Sequence, residues 1–364
     1  IQLMAGAAML SSFTYIPILA RDTLGADELF VSLLVGSYAA ASFVSSYIFG
    51  RAGDIYGRRI IVQAGFLVAT LSFALLLLAS TPGVLFIVRV LGGFSIGTYP
   101  GALAAYAFES DMKMGRFASF GAAGWGAGTL LAGFAAGFDI YFAFLMSSLF
   151  LAFAFITAMT LPHLERTPID VPFFPIATIK RNWQVYLAVL IRHSSASAVW
   201  TLWPLFLTDL GGDPFTIGVV QAINGIAQVA VMIGLTDRFE YRPLILAGLL
   251  SSAATFGWFL LATNIIEIIP SQVLLGFAWS CLYVGALKYV TERNEDRSTA
   301  SGLLNSTMSI SMVMGPIIAA AFYSIWPGYA PIILFALLMS LVSFAIFWVS
   351  SNKSDSYTPV KGID

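Results

Sequence analysis

Two arginines stand where arginines are expensive. Arg192 lies in Ile191-Arg192-His193-Ser194-Ser195, and Arg89 in Arg89-Val90-Leu91-Gly92-Gly93-Phe94-Ser95-Ile96-Gly97, both within long apolar stretches. An ionisable side chain at such depth is costly in hydrocarbon and reads as a functional site by default. Arg192 follows Trp183 by about nine residues, ~14 Å along a helix and close to a bilayer midplane. A guanidinium there suits an anionic or strongly hydrogen-bonding solute group, or an acid that changes partner. The plain alternative is an arginine satisfied by helix carbonyls or snorkelling to the interface. His193 points about 100° away from its neighbour on a helix and is the residue type that titrates near neutral pH.

Other chemistries lack their parts. Cys281 is the only cysteine, and the histidines are His163 and His193 alone. No internal disulfide is possible and no Cys- or His-based metal centre is expected. The chain has no H-E-x-x-H, no G-x-S-x-G and no pair of Asp residues inside an apolar stretch, so an enzyme is not expected. No cofactor is expected either. A net charge of -1 argues against a nucleic-acid binder.

The elements that must position these arginines follow from composition. Of 364 residues, 59% are hydrophobic and 10% charged, with a mean hydropathy of +0.86. A soluble domain carries roughly 25% charged residues; lipid must solvate this one. A crossing helix needs ~20 mostly apolar residues. Such stretches occur at 1–20, 29–50, 60–79, 84–108, 117–137 and 140–161, then at 183–208, 214–236, 243–266, 268–287, 298–325 and 329–350. This predicts an all-α membrane protein of about 12 transmembrane helices. The first stretch reads as a span and not as a cleaved signal peptide.

Orientation is read from Lys and Arg. Fifteen of the 18 basic residues, from Arg51, Arg58 and Arg59 through Arg166 to Lys353 and Lys361, fall on one side. Arg21 alone lies opposite, among acids such as Asp27, Glu28, Asp139, Asp209, Asp213 and Glu267. Both termini are therefore expected in the cytoplasm, with the chain in the plasma membrane. The Pro-rich connection 162–182, holding Pro162, Pro168, Pro172 and Pro175, divides a six-helix bundle at 1–161 from a second at 183–364 that ends in a short tail.

The halves repeat one another. Gly50-Arg51-Ala52-Gly53-Asp54-Ile55-Tyr56-Gly57-Arg58-Arg59 follows span 2, and Gly234-Leu235-Thr236-Asp237-Arg238-Phe239-Glu240-Tyr241-Arg242 follows span 8. Parallel repeats of this kind are a transporter architecture. The chain here resembles the major facilitator superfamily, whose signature G-x-x-x-D-R-x-G-R-R is matched by Gly50, Asp54, Gly57, Arg58 and Arg59. Ile55 departs from it. The resemblance implies two pseudo-symmetric bundles rocking about a central cavity, with span 7 lining that cavity.

A latch can be argued from the residues as well. Asp54 ends span 2 on the side where span 11 begins, near Ser298 to Ser301, and a helix N-terminus favours an acid by ~0.3–1 kcal/mol when exposed. Arg58 is placed to share the carboxylate. Such a contact would hold the cytoplasmic side closed and favour the outward-open state. Asp237, with Arg238 and Arg242 beside it, would act likewise against span 5 near Phe117. The alternative is that these charges only anchor loops.

Arg89 and its glycines look like the family's span 4 motif, which the family associates with proton coupling. Span 1 offers Ser11, Ser12, Thr14 and Tyr15 but no carboxylate, and span 4 gains an acid only at Glu109. Coupling through a buried carboxylate is not supported; uniport, a charge carried by the solute, or a proton acting through Glu109 or His193 stay open. Gly93, Gly97 and Gly101 form a stripe that packing explains, as do Gly124 with Gly128 and Gly133 with Gly137. Gly315-Pro316 in span 11 has the shape of the family's antiporter motif; span 5 lacks its Pro. Further cavity candidates are Trp125, Trp200, Asn224, Gln228, Trp279, Tyr283 and Asn305, each equally suited to helix–helix hydrogen bonding.

Few fixed charges and many aromatics suit a small amphipathic solute. Loop style resembles the family's drug-exporter-like branch, which makes efflux by alternating access, as a monomer, the expected activity. Uptake of a sugar, nucleoside or organic anion is the alternative, and a non-transporting solute sensor a distant one.

Overall fold

The computed structural model describes residues 1–13, 15–164 and 169–354. Thr14, Arg166, Pro168 and Lys361 lie outside the described residues, as do the side chains of Glu28 and Lys353. Among the described residues there are twelve helical stretches and no strand. They are α1 (Gln2–Phe13, with further turns at Ile16–Ile18 and Leu19–Thr23), α2 (Glu28–Tyr56), α3 (Arg58–Ala74, ending in a tight turn Leu75–Leu78), and α4 (Pro82–Thr98, resuming as Pro100–Glu109). There follow α5 (Met114–Ala136), α6 (Ile140–Met159), α7 (Ile176–Asp209), α8 (Pro214–Gly234), α9 (Tyr241–Leu261), α10 (Ile265–Glu292), α11 (Arg297–Ile325) and α12 (Ala330–Ser354). Ten of them are long and apolar enough to cross a membrane. The other two are α5, rich in Gly and Ala, and α7, which carries Lys180, Arg181, Arg192 and His193.

The acids opposite the basic loops start helices. Asp27 accepts from Phe30 N at 2.7 Å, Asp139 from Tyr141 N at 2.8 Å and Asp213 from Thr216 N at 2.7 Å. Asn264 caps α10 through Ile266 N and Glu267 N. Each satisfies backbone donors that the helix itself leaves over. Tyr329, between α11 and α12, donates to Asp209 Oδ2 at 2.6 Å. Burial first, then this carboxylate, push its phenol up to about 12.

The chain divides into two compact units, one of Ile1–Pro175 with Asp296–Ser309, the other of Ile176–Glu295 with Ile310–Asp364. Inside the first, α2 packs on α4, α3 on α6, and α1 on α5 and α6. Inside the second, α8 packs on α10, α9 on α12, and α7 on α12. Pairings recur at a six-helix interval, as a duplicated bundle requires.

The hydrophilic connection is shorter than the charge pattern predicts. Helix α7 begins at Ile176, so its first two turns occupy 176–182. Lys180 and Arg181 stay exposed on its outer face, while Asn182 turns inward: Asn182 and Asn294 exchange side-chain amide bonds at 3.0 and 2.9 Å, and nearby Tyr289 Oη donates to Gln184 at 3.3 Å. In the first unit the preceding segment is tied down, with Arg51 Nε donating to Val171 O at 2.6 Å and Ile169 N to Asp54 O at 3.1 Å.

Candidate functional site

Four charged side chains meet at the basic end of the first unit. Asp54, in the last turn of α2, is 5% exposed. Its Oδ2 accepts from Thr299 N and Thr299 Oγ1, both at 2.7 Å, and its Oδ1 from Ser298 N at 3.3 Å. Arg58 Nη2 donates to the same Oδ1 at 2.9 Å. Ser298 and Thr299 open α11, where backbone N–H groups lack intrahelical partners and the helix dipole favours an anion. Arg58 also pairs with Glu109, at the end of α4, and Glu109 lies 3.3 Å from Arg297 Nη1. The charges alternate and cancel, which limits the cost of burying them.

Glycines permit this approach. A Cβ on Gly302 would sit 2.6 Å from Gly50 Cα, one on Gly53 3.0 Å from Ser298 Cβ, and one on Gly101 2.7 Å from Ser298 O. Helix α11 thus crosses α2 and α4 backbone to backbone. Gly57 stands at φ +101 between α2 and α3, a conformation that side chains rarely adopt. Arg59 donates to Met159 O at 3.5 Å and so ties α3 to the end of α6.

Deeper in the same unit, Arg89 is 3% exposed. Its guanidinium lies 3.7 Å from the Tyr38 ring centre and 5.5 Å from that of Phe13, and its Nε has no partner. Gly93 and Gly97 place α4 on α2: a Cβ there would be 2.7 Å from Tyr38 Cα and 2.6 Å from Ser42 O. Gly124 and Gly128 likewise meet Leu3 and Ala7 of α1. The expected Gly133 and Gly137 stripe is not one, because Gly133 meets only Tyr15 Oη at 3.5 Å and Gly137 terminates α5.

In the second unit, α7 carries Arg192 and His193 against α9 and α10. Arg192 Nε donates to Ser252 Oγ at 3.0 Å, while its Nη2 is buried without a partner. His193 lies near-parallel to Trp279, centroids 5.1 Å apart, and Trp279 near-parallel to Tyr283 at 5.4 Å. Trp200, half-buried, contacts an aromatic cluster of Trp203, Phe256 and Phe259. Asn224 and Gln228 pair at 2.6 Å, and Asn224 donates to Gln272 O at 3.2 Å, joining α8 to α10. Asn305 donates to Ser46 Oγ at 2.6 Å within the first unit. Trp125 is exposed on α5, beside Gly6. Asp237 sits half-buried on a turn, Thr236–Arg238, with Arg238 exposed and Arg242 bonded to Asn352. The start of α5, expected to receive Asp237, belongs to the other unit.

The family model described as Major Facilitator Superfamily matches residues 1–183 and 185–363. The chain belongs to the major facilitator superfamily. Tetracycline resistance protein, class C, of Escherichia coli is 28% identical over 357 residues, 87% of either chain. Quinolone resistance protein NorA of Staphylococcus aureus (strain COL) is 25% identical over 329 residues, 85% of this chain and 84% of that one. The human organic anion transporter MFSD10 (TETRAN) superposes with a TM-score of 0.79 at 15% identity, over 95% of this chain and 96% of that one. The Escherichia coli fucose:proton symporter FucP gives 0.77 at 11% identity, over 96% of each. At these identities the two solved structures show the fold alone.

The superfamily consists of transporters, and this member is a multi-pass membrane protein with relatives among drug-resistance proteins. Its signature loop is the segment that brings Asp54 and Arg58 to α11. Sequence reasoning missed Arg297 as a partner and left Glu109 open as one of several routes for a proton; the structure puts both in one ion-pair chain. Arg297 directly precedes Ser298, and that adjacency to an expected helix start was the available signal.

Proposed function

We propose that this chain is a secondary active exporter of small amphipathic solutes that works by alternating access in the plasma membrane, with both termini in the cytoplasm. The observation that carries the reading is the Asp54 carboxylate on the N-terminus of α11, backed by Arg58, Glu109 and Arg297. In this reading the buried carboxylate, held by donors from a helix distant in sequence, is the contact that is made and broken during transport. Made, it latches the cytoplasmic side; broken, it frees α11 from α2 and opens that side. Asp237 in the second half acts as a weaker copy of the latch. The resistance proteins among the relatives support an amphipathic drug-like cargo and the outward direction.

Everted membrane vesicles with an imposed pH gradient test this. A fluorescent amphipathic dye is expected to accumulate in the vesicle lumen, with flux reduced by Asp54→Asn. Accumulation equal to that of vesicles lacking the protein would sink the reading, and collapse of the gradient without loss of flux would make the chain a uniporter. Uptake of an organic anion is the second reading, favoured by the unpartnered Arg192 Nη2; uphill accumulation of an anion by intact cells would establish it.

A further inference from the structure

Arg192 has more binding capacity than the protein uses. A guanidinium has five donors and keeps its charge in proteins. Here the side chain is 1% exposed, its Nε is held by Ser252, and Ser252 is itself fixed by donating to Gly248 O at 2.8 Å. The buried Nη2 has no acceptor, and among the described residues no carboxylate forms an ion pair with Arg192. Its Nε goes to a hydroxyl and its Nη2 to no acceptor, so neither of these donors is spent on a helix carbonyl.

What surrounds the guanidinium is aromatic. Its Cζ lies 5.6 Å from the Trp279 ring centre and 6.0 Å from that of Phe256. Trp279 and Tyr283, four residues apart on α10, have rings within 12° of parallel, and His193 lies within 23° of Trp279. His193 Nδ1 is also buried without a partner. Trp279, Tyr283 and His193 are half-buried, so each keeps a reachable edge. Cation–π contact offsets part of the cost of the buried charge but accepts no N–H bond.

We infer that this corner of the second unit is a subsite for a planar aromatic anion. An oxyanion of the solute accepts from Arg192 Nη2, and its ring system lies along the Trp279–Tyr283 column. Ser252 holds the guanidinium in place, and the solute supplies the counter-charge that the chain withholds. The inference rests on the exporter reading for the identity of the cargo site and adds to it the sign of the charge and the flatness of the ring.

The test uses purified full-length protein with two matched probes, 1-naphthoate and neutral 1-naphthamide. Binding is read by ligand-induced thermal shift, which grows with concentration over Kd, and flux is read in proteoliposomes. Wild type should prefer naphthoate by about tenfold, the worth of one charge-assisted hydrogen bond. Arg192→Gln should erase that preference by lowering naphthoate affinity about tenfold relative to naphthamide. Equal affinities in wild type, or a preference that survives Arg192→Gln, would overturn the subsite. Should Arg192→Gln fail to fold, Ser252→Ala keeps the charge but releases the guanidinium; a reduced preference supports the inference and an unchanged one overturns it. Movement of naphthamide without preference for naphthoate removes the subsite alone. Absence of binding and flux for both compounds removes the exporter reading and the subsite with it.

Discussion

Asp54 accepts hydrogen bonds from Ser298 N, Thr299 N and Thr299 Oγ1 and shares its charge with Arg58. Replacing it by Asn removes the charge, spoils one acceptor and leaves Arg58 leaning on Glu109. The contact should weaken by ~2 kcal/mol. In a labelling assay, a cysteine placed at the α11 start should react severalfold faster in Asp54→Asn than in the parent. Unchanged reactivity would mean that the contact does not hold that side shut. This pairing was legible in the sequence because both partners announce themselves, Asp54 by its motif and α11 by the onset of an apolar stretch. Glu109 and Arg297 were not, because a charge at a span end looks the same whether it faces water or a buried partner.

Among the elements, close approach separates glycines that matter from glycines that do not. Gly93→Ala would put a Cβ 2.7 Å from Tyr38 Cα, and the opposing backbone cannot yield as a side-chain tip would. The variant is expected to lose ~1–3 kcal/mol and to melt earlier in detergent. Gly126, where an added Cβ would meet nothing within 4 Å, offers the contrast: Gly126→Ala should be neutral or gain about 0.5–1 kcal/mol from helix propensity. Similar melting shifts for both would refute the close-packing account. The Asn182–Asn294 pair supplies a second test at this scale. Asn182→Ala removes both exchanged bonds and leaves Asn294, 2% exposed, with Val290 O and Arg181 as its remaining partners, at a cost of about 1 kcal/mol, which should appear as a lower melting temperature in detergent.

For the molecule as a whole, the distribution of charge makes a topological prediction. Cys281 is buried and is the only cysteine, so Cys281→Ala provides a background for labelling. Single cysteines at Tyr56, Phe239 and Glu295 should react with an impermeant maleimide only from the cytoplasmic side, and one at Ala26 only from outside. Labelling of Tyr56 and Glu295 positions from opposite faces would undo the orientation. The duplicated helix pairings, α2 with α4 and α8 with α10, were foreshadowed by the two Gly–Asp–Arg loops. The assignment of Asp296–Ser309 to the first unit was not, since it depends on which backbone the smooth face of α11 meets.

Hydropathy, span length and charge bias are sums over local segments, so the solvent, the helical stretches and the repeat could be read straight from the order of residues. The same reading marked Asp54, Arg89 and Arg192 as costly residues that must have a reason. What each of them faces had to wait for the folded chain. Folding set Trp200 against other aromatic rings, tied Asn224 to the backbone of α10, gathered Glu109 and Arg297 around Arg58, and among the described residues gave Arg192 no acid. A side chain's partners depend on how helices rotate and how closely they approach, and glycines hundreds of residues apart in the chain set both.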